Sequence, residues 1–161
     1  MNQKTLALML KIIIIGVALC AAAVYIWIIP QELGKPLAEA GNGEFAYCYT
    51  PWVIIVSITA LPVAAALVIS WIIADNIGKD RSFCIQNAKL LAVISVLAIV
   101  DTVYFFIANI VMLLLNMSHP GVMLISLFIC FVGVAVAVVA AALSHYAYKA
   151  AKLQNESDLT I

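Results

Sequence analysis

Asp101 lies near the centre of an uninterrupted apolar stretch, residues 90–115. A carboxylate at the middle of a bilayer costs about 3 kcal/mol or more, so such a residue normally faces a bundle interior and marks a proton or ion site. The same stretch carries Ser95, Thr102, Asn109 and Asn116, each seven residues after the last. Seven residues are nearly two helical turns, so these four share one narrow stripe, with Asp101 about 100° round from Thr102. A polar stripe in lipid points at other helices, where an interhelical hydrogen bond contributes about 1 kcal/mol. Asp101, Thr102, Asn109 and Ser95 therefore form the candidate intramembrane polar site. Two roles are open to the carboxylate. It is either a protonated structural group bonded to a carbonyl or hydroxyl, with Thr59, Ser57 and Tyr25 as candidate partners, or a group that binds a proton or cation. No Lys or Arg at matching depth offers it an ion pair, and Lys11, near the inner edge, can snorkel to water.

The elements that must position these residues follow from composition. Hydrophobic residues make up 66% of the chain and charged residues 10%. So few polar groups cannot cover an apolar core in water, and lipid is the expected solvent. Four runs reach the roughly 20 apolar residues that a membrane helix needs: 6–29, 52–73, 90–115 and 122–148. None has the alternation of a membrane barrel strand. The first continues through Val24-Tyr25-Ile26-Trp27-Ile28-Ile29 past its small residues Ala21–Ala23, which makes it an uncleaved span rather than a signal peptide. Seven basic residues, Lys4, Lys11, Lys79, Arg81, Lys89, Lys149 and Lys152, flank one side of these spans, and only Lys35 falls on the other. Basic residues accumulate inside, so both termini are expected in the cytoplasm. The expected fold is all-α: a single four-span domain over residues 1–161, an integral membrane antiparallel four-helix bundle.

Span four presents Gly133, Ala137, Ala141 and Ser144 as a small-residue face on which span three can pack closely. Pro62, in the middle of span two, removes an amide donor and predicts a kink beside Asp101. The outer loop, 30–51, is broken by glycine and proline, and its aromatic half, 45–52, is expected at the membrane interface. At the inner connection Gly78 is positioned to stop one helix and Ser82 to cap the next, leaving a solvated, mixed-charge hinge. The tail, 149–161, is expected to fray in solvent. Cys20, Cys48, Cys84 and Cys130 have no obvious pairing and read as structural thiols.

Groups for enzyme chemistry are sparse. His119 and His145 fall on opposite sides of the membrane, and neither a phosphate loop nor a nucleophile elbow is present. A non-enzymatic protein without metal or cofactor is expected, with no direct nucleic-acid binding.

The inner hinge, Gly78-Lys79-Asp80-Arg81-Ser82-Phe83 followed by Asn87-Ala88-Lys89-Leu90, and the tail Glu156-Ser157-Asp158-Leu159-Thr160-Ile161 resemble the YoaS-like bacterial four-span membrane family. After Phe83 that family often has acidic residues, whereas this chain has Cys84-Ile85-Gln86, a departure that bears on helix capping. The resemblance carries no established activity. Its members' genes often neighbour a small helix-turn-helix regulator, which implies a cytoplasmic DNA-binding partner by analogy. Candidate contact residues are Lys79, Arg81, Phe83, Lys89, Lys152, Glu156 and Asp158. The expected function is regulatory or sensory, through that partner. The alternative is a small oligomeric proton- or cation-coupled transporter or channel that uses Asp101.

Overall fold

Apolar runs in lipid must satisfy their own amides, and helices do so within one segment. A computed structural model describes residues 2–33 and 46–158. Helix α1 (Gln3–Ala22) passes without a break into a π-helical segment (Ala23–Leu33), followed by α2 (Ala46–Gly78), α3 (Ile85–Leu114) and α4 (Pro120–Asp158). Four helices are long and apolar enough to cross a membrane, and they form an all-α antiparallel bundle. The bundle is an open one. The helices pack in chain order, α1 on α2, α2 on α3 and α3 on α4, without an α1–α4 seam of comparable extent.

The α3–α4 seam is built from small residues. On α4, Ser126, Gly133, Ala137, Ala140, Ser144 and Ala151 turn inward, spaced by threes, fours and sevens as in a knobs-into-holes seam. Ala140 takes the inward place expected of Ala141, which is exposed, because the inward stripe steps from 133 to 137, 140 and 144 and so averages close to 3.6 residues per turn. A Cβ on Gly133 would stand 2.2 Å from Thr102 Oγ1, so the two helices touch here with no room for a side chain. Ser95 Oγ donates to the Ala137 carbonyl at 2.8 Å and Ser144 Oγ to the Ala88 carbonyl at 2.7 Å, closing the seam on either side of Ala140.

Several elements differ from the sequence expectation. The outer connection is shorter than residues 30–51, since helix continues through Pro30 to Leu33 and resumes at Ala46. Lys35 and the breakers Gly34, Pro36, Gly41 and Gly43 lie outside the described residues. Much of the aromatic segment forms the first turns of α2. Trp52 is buried with Cys48 and Met112, and its indole N–H donates to the Met117 carbonyl at 2.8 Å, pinning α2 to the α3–α4 turn.

At the hinge, the cap of α3 is Cys84, not Ser82: Cys84 Sγ accepts from the Asn87 amide at 3.4 Å. Ser82 instead donates to Gln3 Oε1 at 3.2 Å, tying the hinge to α1. Asn87, 2% exposed, orders the turn from within. Its amide nitrogen donates to the Arg81 and Ser82 carbonyls, and its oxygen accepts from Asn76 Nδ2 at 2.7 Å. α2 does end at Gly78, although the left-handed residue that closes the end is Asp80, at φ 63°. Gly78 has a different reason: its added Cβ would lie 3.1 Å from the Ala7 Cβ, so glycine lets α1 and α2 approach. The tail is also more regular than expected. α4 runs on through Asp158, and Ala151 is buried because the inward stripe continues past residue 148.

Candidate intramembrane site

One residue of register separates two faces of α3. Ala88, Ser95 and Thr102 turn to α4, whereas Asn87, Ile94 and Asp101, the set one residue earlier, turn to α2. Asp101 therefore sits on the α2 side of the polar stripe, where the open bundle leaves space. A cavity of about 480 Å³ lies towards the Trp52 end, walled by Tyr25 and Ile29 of the π segment, Val56, Thr59 and Val63 of α2, Phe105 of α3 and Cys130 of α4. A second, of about 320 Å³, lies towards the hinge, walled by Pro62, Ala66, Ser70, Ile94 and Leu97. Asp101, Thr102, Val63 and Gly133 line both. Asp101 is thus the acid on the partition between two cavities, with Pro62 on the hinge-side wall. α2 continues as helix through Pro62, whose ring leaves the Ile58 carbonyl without its helical donor.

The hydroxyls around the carboxylate are committed elsewhere. Thr59 Oγ1 donates to the Val56 carbonyl at 2.7 Å and so accepts from the Tyr25 hydroxyl at 2.9 Å, its own proton being used. Thr102 Oγ1 donates to the Ala98 carbonyl at 2.7 Å, and Tyr104 OH donates to the Ile55 carbonyl at 3.4 Å. Ser57 is exposed on the far side of α2. The three partners proposed for Asp101 therefore do not bond it, and among the described residues the enclosed Asp101 Oδ1 has no hydrogen-bond partner. Short hydroxyl side chains on helices turn back to the carbonyl three or four residues earlier, which competes with any bond across a gap.

The remaining polar candidates are structural in their contacts. Asn109, 1% exposed, donates from Nδ2 to the Phe105 carbonyl at 2.8 Å, and its buried Oδ1 has no partner among the described residues. Asn116 falls beyond α3 in the turn, with φ 56°, and is exposed. Lys11 does not reach Asp101. It forms an ion pair with Asp75 and lies 4.9 Å from the centre of the Trp71 ring. His119 Nδ1 accepts from the Gly121 amide at 3.1 Å in the α3–α4 turn. Among the described residues, no group of three or more His, Cys, Asp or Glu is arranged to hold a metal ion.

On the hinge, Lys79, Arg81 and Lys89 are exposed, and Phe83 presents 60% of its surface. Further along, Lys152 and Glu156 pair at 3.8 Å on the exposed end of α4; Asp158 closes that helix, its side chain outside the described residues. Sequence reasoning missed Cys84 as a cap and Asn87 as a clasp, and it assigned Tyr25 to Asp101 where the structure pairs it with Thr59. Asn76 and Asn87, flanking a tight turn, are the signal that points to such a clasp.

Residues 32–161 match the family described as "Protein of unknown function (DUF2975)". The chain belongs to that family. It is also similar to the "Uncharacterized membrane protein YoaS" of Bacillus subtilis (strain 168), at 24% identity over 168 residues that cover 99% of each chain. No solved structure matches. Membership makes this a multi-pass membrane protein of a bacterial family of unknown function, with α1 inside the region shared with YoaS.

Proposed function

We propose that this chain is a non-enzymatic membrane protein that binds a proton or cation at Asp101 and passes it between the two halves of the bundle. The supporting observation is the position of Asp101 on the wall common to two cavities, with an enclosed, unpartnered oxygen. A carboxylate that serves only packing gains a hydrogen bond, because leaving one unpaired in hydrocarbon costs several kcal/mol or about that. Here neighbouring hydroxyls are spent on backbone carbonyls instead. Both termini lie in the cytoplasm in this reading, on the count of basic residues, and self-association completes the transporter. Proteoliposome flux with wild type and Asp101→Asn tests it. Loss of proton- or cation-coupled flux in the variant is expected, and unchanged coupling refutes the proposal. Crosslinking in membranes tests self-association.

A second reading, a regulatory or sensory protein acting on a cytoplasmic partner such as a helix-turn-helix regulator, is supported by the exposed Phe83 between Arg81 and Lys89 on an ordered turn. An exposed aromatic flanked by cations is a suitable docking point for an acidic, apolar protein surface. Co-purification after mild detergent extraction, with Phe83→Ala as control, tests it. Equal recovery of a partner by both proteins, or no partner with either, counts against it.

A further inference from the structure

The larger cavity has the wrong chemistry for a hard divalent ion and the right chemistry for a greasy cation. Its walls supply one carboxylate and the hydroxyls of Tyr25, Thr59 and Thr102, against the six or more oxygens that a hard divalent cation requires. Those hydroxyls are already bonded to one another or to helix carbonyls, so gathering them round an ion means breaking those bonds. An anion meets the Asp101 charge with no Lys, Arg or His among the described residues of the wall to offset it. What remains is an apolar chamber of about 480 Å³, within the usual range for an organic ligand, with one negative charge and two aromatic rings, Tyr25 and Phe105.

The route in points the same way. Val24 and Ile129 belong to the cavity wall and yet are 41% and 50% exposed. They come from the π segment and α4, the two elements that the open bundle leaves without an extensive seam. A ligand that enters between them arrives from hydrocarbon and must first dissolve in the bilayer.

We propose that this cavity binds a lipophilic organic monocation, with Asp101 as its counter-charge and Tyr25 and Phe105 as aromatic walls. The assignment rests on Asp101 being a cation site, as argued above, and adds the class of cation. A delocalised charge carries little hydration to lose on entering lipid, so one carboxylate and two ring faces suffice to hold it. Proton and ligand then compete for one carboxylate, so binding of the cation to the protonated site releases a proton to water.

The test is equilibrium binding of tetraphenylphosphonium to the full chain in lipid nanodiscs, with the neutral isostere tetraphenylsilane as competitor. Saturable binding is expected, with proton release and without competition by the neutral compound. Asp101→Asn is expected to weaken binding by about tenfold or more, and Phe105→Leu by about threefold to tenfold. Phe106→Leu, on the lipid-facing side, serves as the control with wild-type affinity, and thermal unfolding checks that each variant is folded. Non-saturable uptake by the wild type, equal affinity in Asp101→Asn, or competition by tetraphenylsilane overturns the proposal. The reading beneath it has its own readout, an acid–base titration step present in the wild type and absent from Asp101→Asn. If that step persists while tetraphenylphosphonium fails to bind, the cation site stands and the ligand class falls. If it is missing too, both fall.

Discussion

Replacing Gly133 with alanine should separate α3 from α4, and the size of the effect follows from one contact. The added Cβ would sit 2.2 Å from Thr102 Oγ1, and 3.4 and 3.5 Å from its Cβ and Cγ2. Carbon and oxygen do not approach so closely, so the helices must move apart by about 1 Å or Thr102 must leave its rotamer. Rotation offers little relief. The hydroxyl is bonded to the Ala98 carbonyl, and β-branching confines the side chain within a helix. Overpacking of this kind costs about 1–3 kcal/mol. Thr102→Ala alone should cost less, about 0.5–1 kcal/mol, because the Ala98 carbonyl keeps its helical amide donor. In the double variant the nearest remaining atom is the residue-102 Cβ, at an ordinary contact distance of 3.4 Å, so alanine at 133 should become tolerable. A double-mutant cycle measured by reversible SDS unfolding in mixed micelles should therefore give a favourable coupling of about 1–2 kcal/mol. Additive losses, or a Gly133→Ala protein as stable as the wild type, would refute this account of the seam.

Three further outcomes are expected. Asn87→Ala removes the donor to the Arg81 and Ser82 carbonyls, so it should destabilise the hinge by about 1–3 kcal/mol and expose Arg81 to rapid trypsin cleavage in detergent; wild-type resistance would argue against the clasp. Trp52→Phe keeps the ring in its cluster with Cys48 and Met112 but loses the bond to the Met117 carbonyl, a loss of about 1 kcal/mol seen in thermal unfolding. Asp101→Asn should raise stability by about 1–3 kcal/mol while abolishing cation-coupled function, since an amide is cheaper than an unpartnered carboxylate in lipid; a less stable variant would mean that the carboxylate has a bonded structural role.

Which residues face which helix was only partly legible. The seven-residue spacing of Ser95, Thr102 and Asn109 marked a stripe, and Gly133 and Ala137 marked the surface opposite. Periodicity also placed Asp101 on the flank of that stripe. It did not say that the flank meets α2, or that a gap lies there, because a sequence period describes one helix and a cavity is a property of several. The assignment of Thr59 and Tyr25 as partners failed for a related reason. The Thr59 hydroxyl has a carbonyl within reach on its own helix and the Tyr25 hydroxyl has Thr59, and those nearer bonds win.

Composition and pattern alone determined the solvent and the number of helices, since a continuous apolar run without alternation satisfies its amides in lipid as helix; successive spans joined by short links then run antiparallel. Tertiary packing decided the rest: Trp52 buried against Cys48 and Met112, Cys84 rather than Ser82 as the cap, and Asp101 between two cavities with no bonded partner among the described residues. Each of these depends on which carbonyl, amide or empty space stands a few ångströms away across a helix boundary, and such distances exist only once the helices have been brought together.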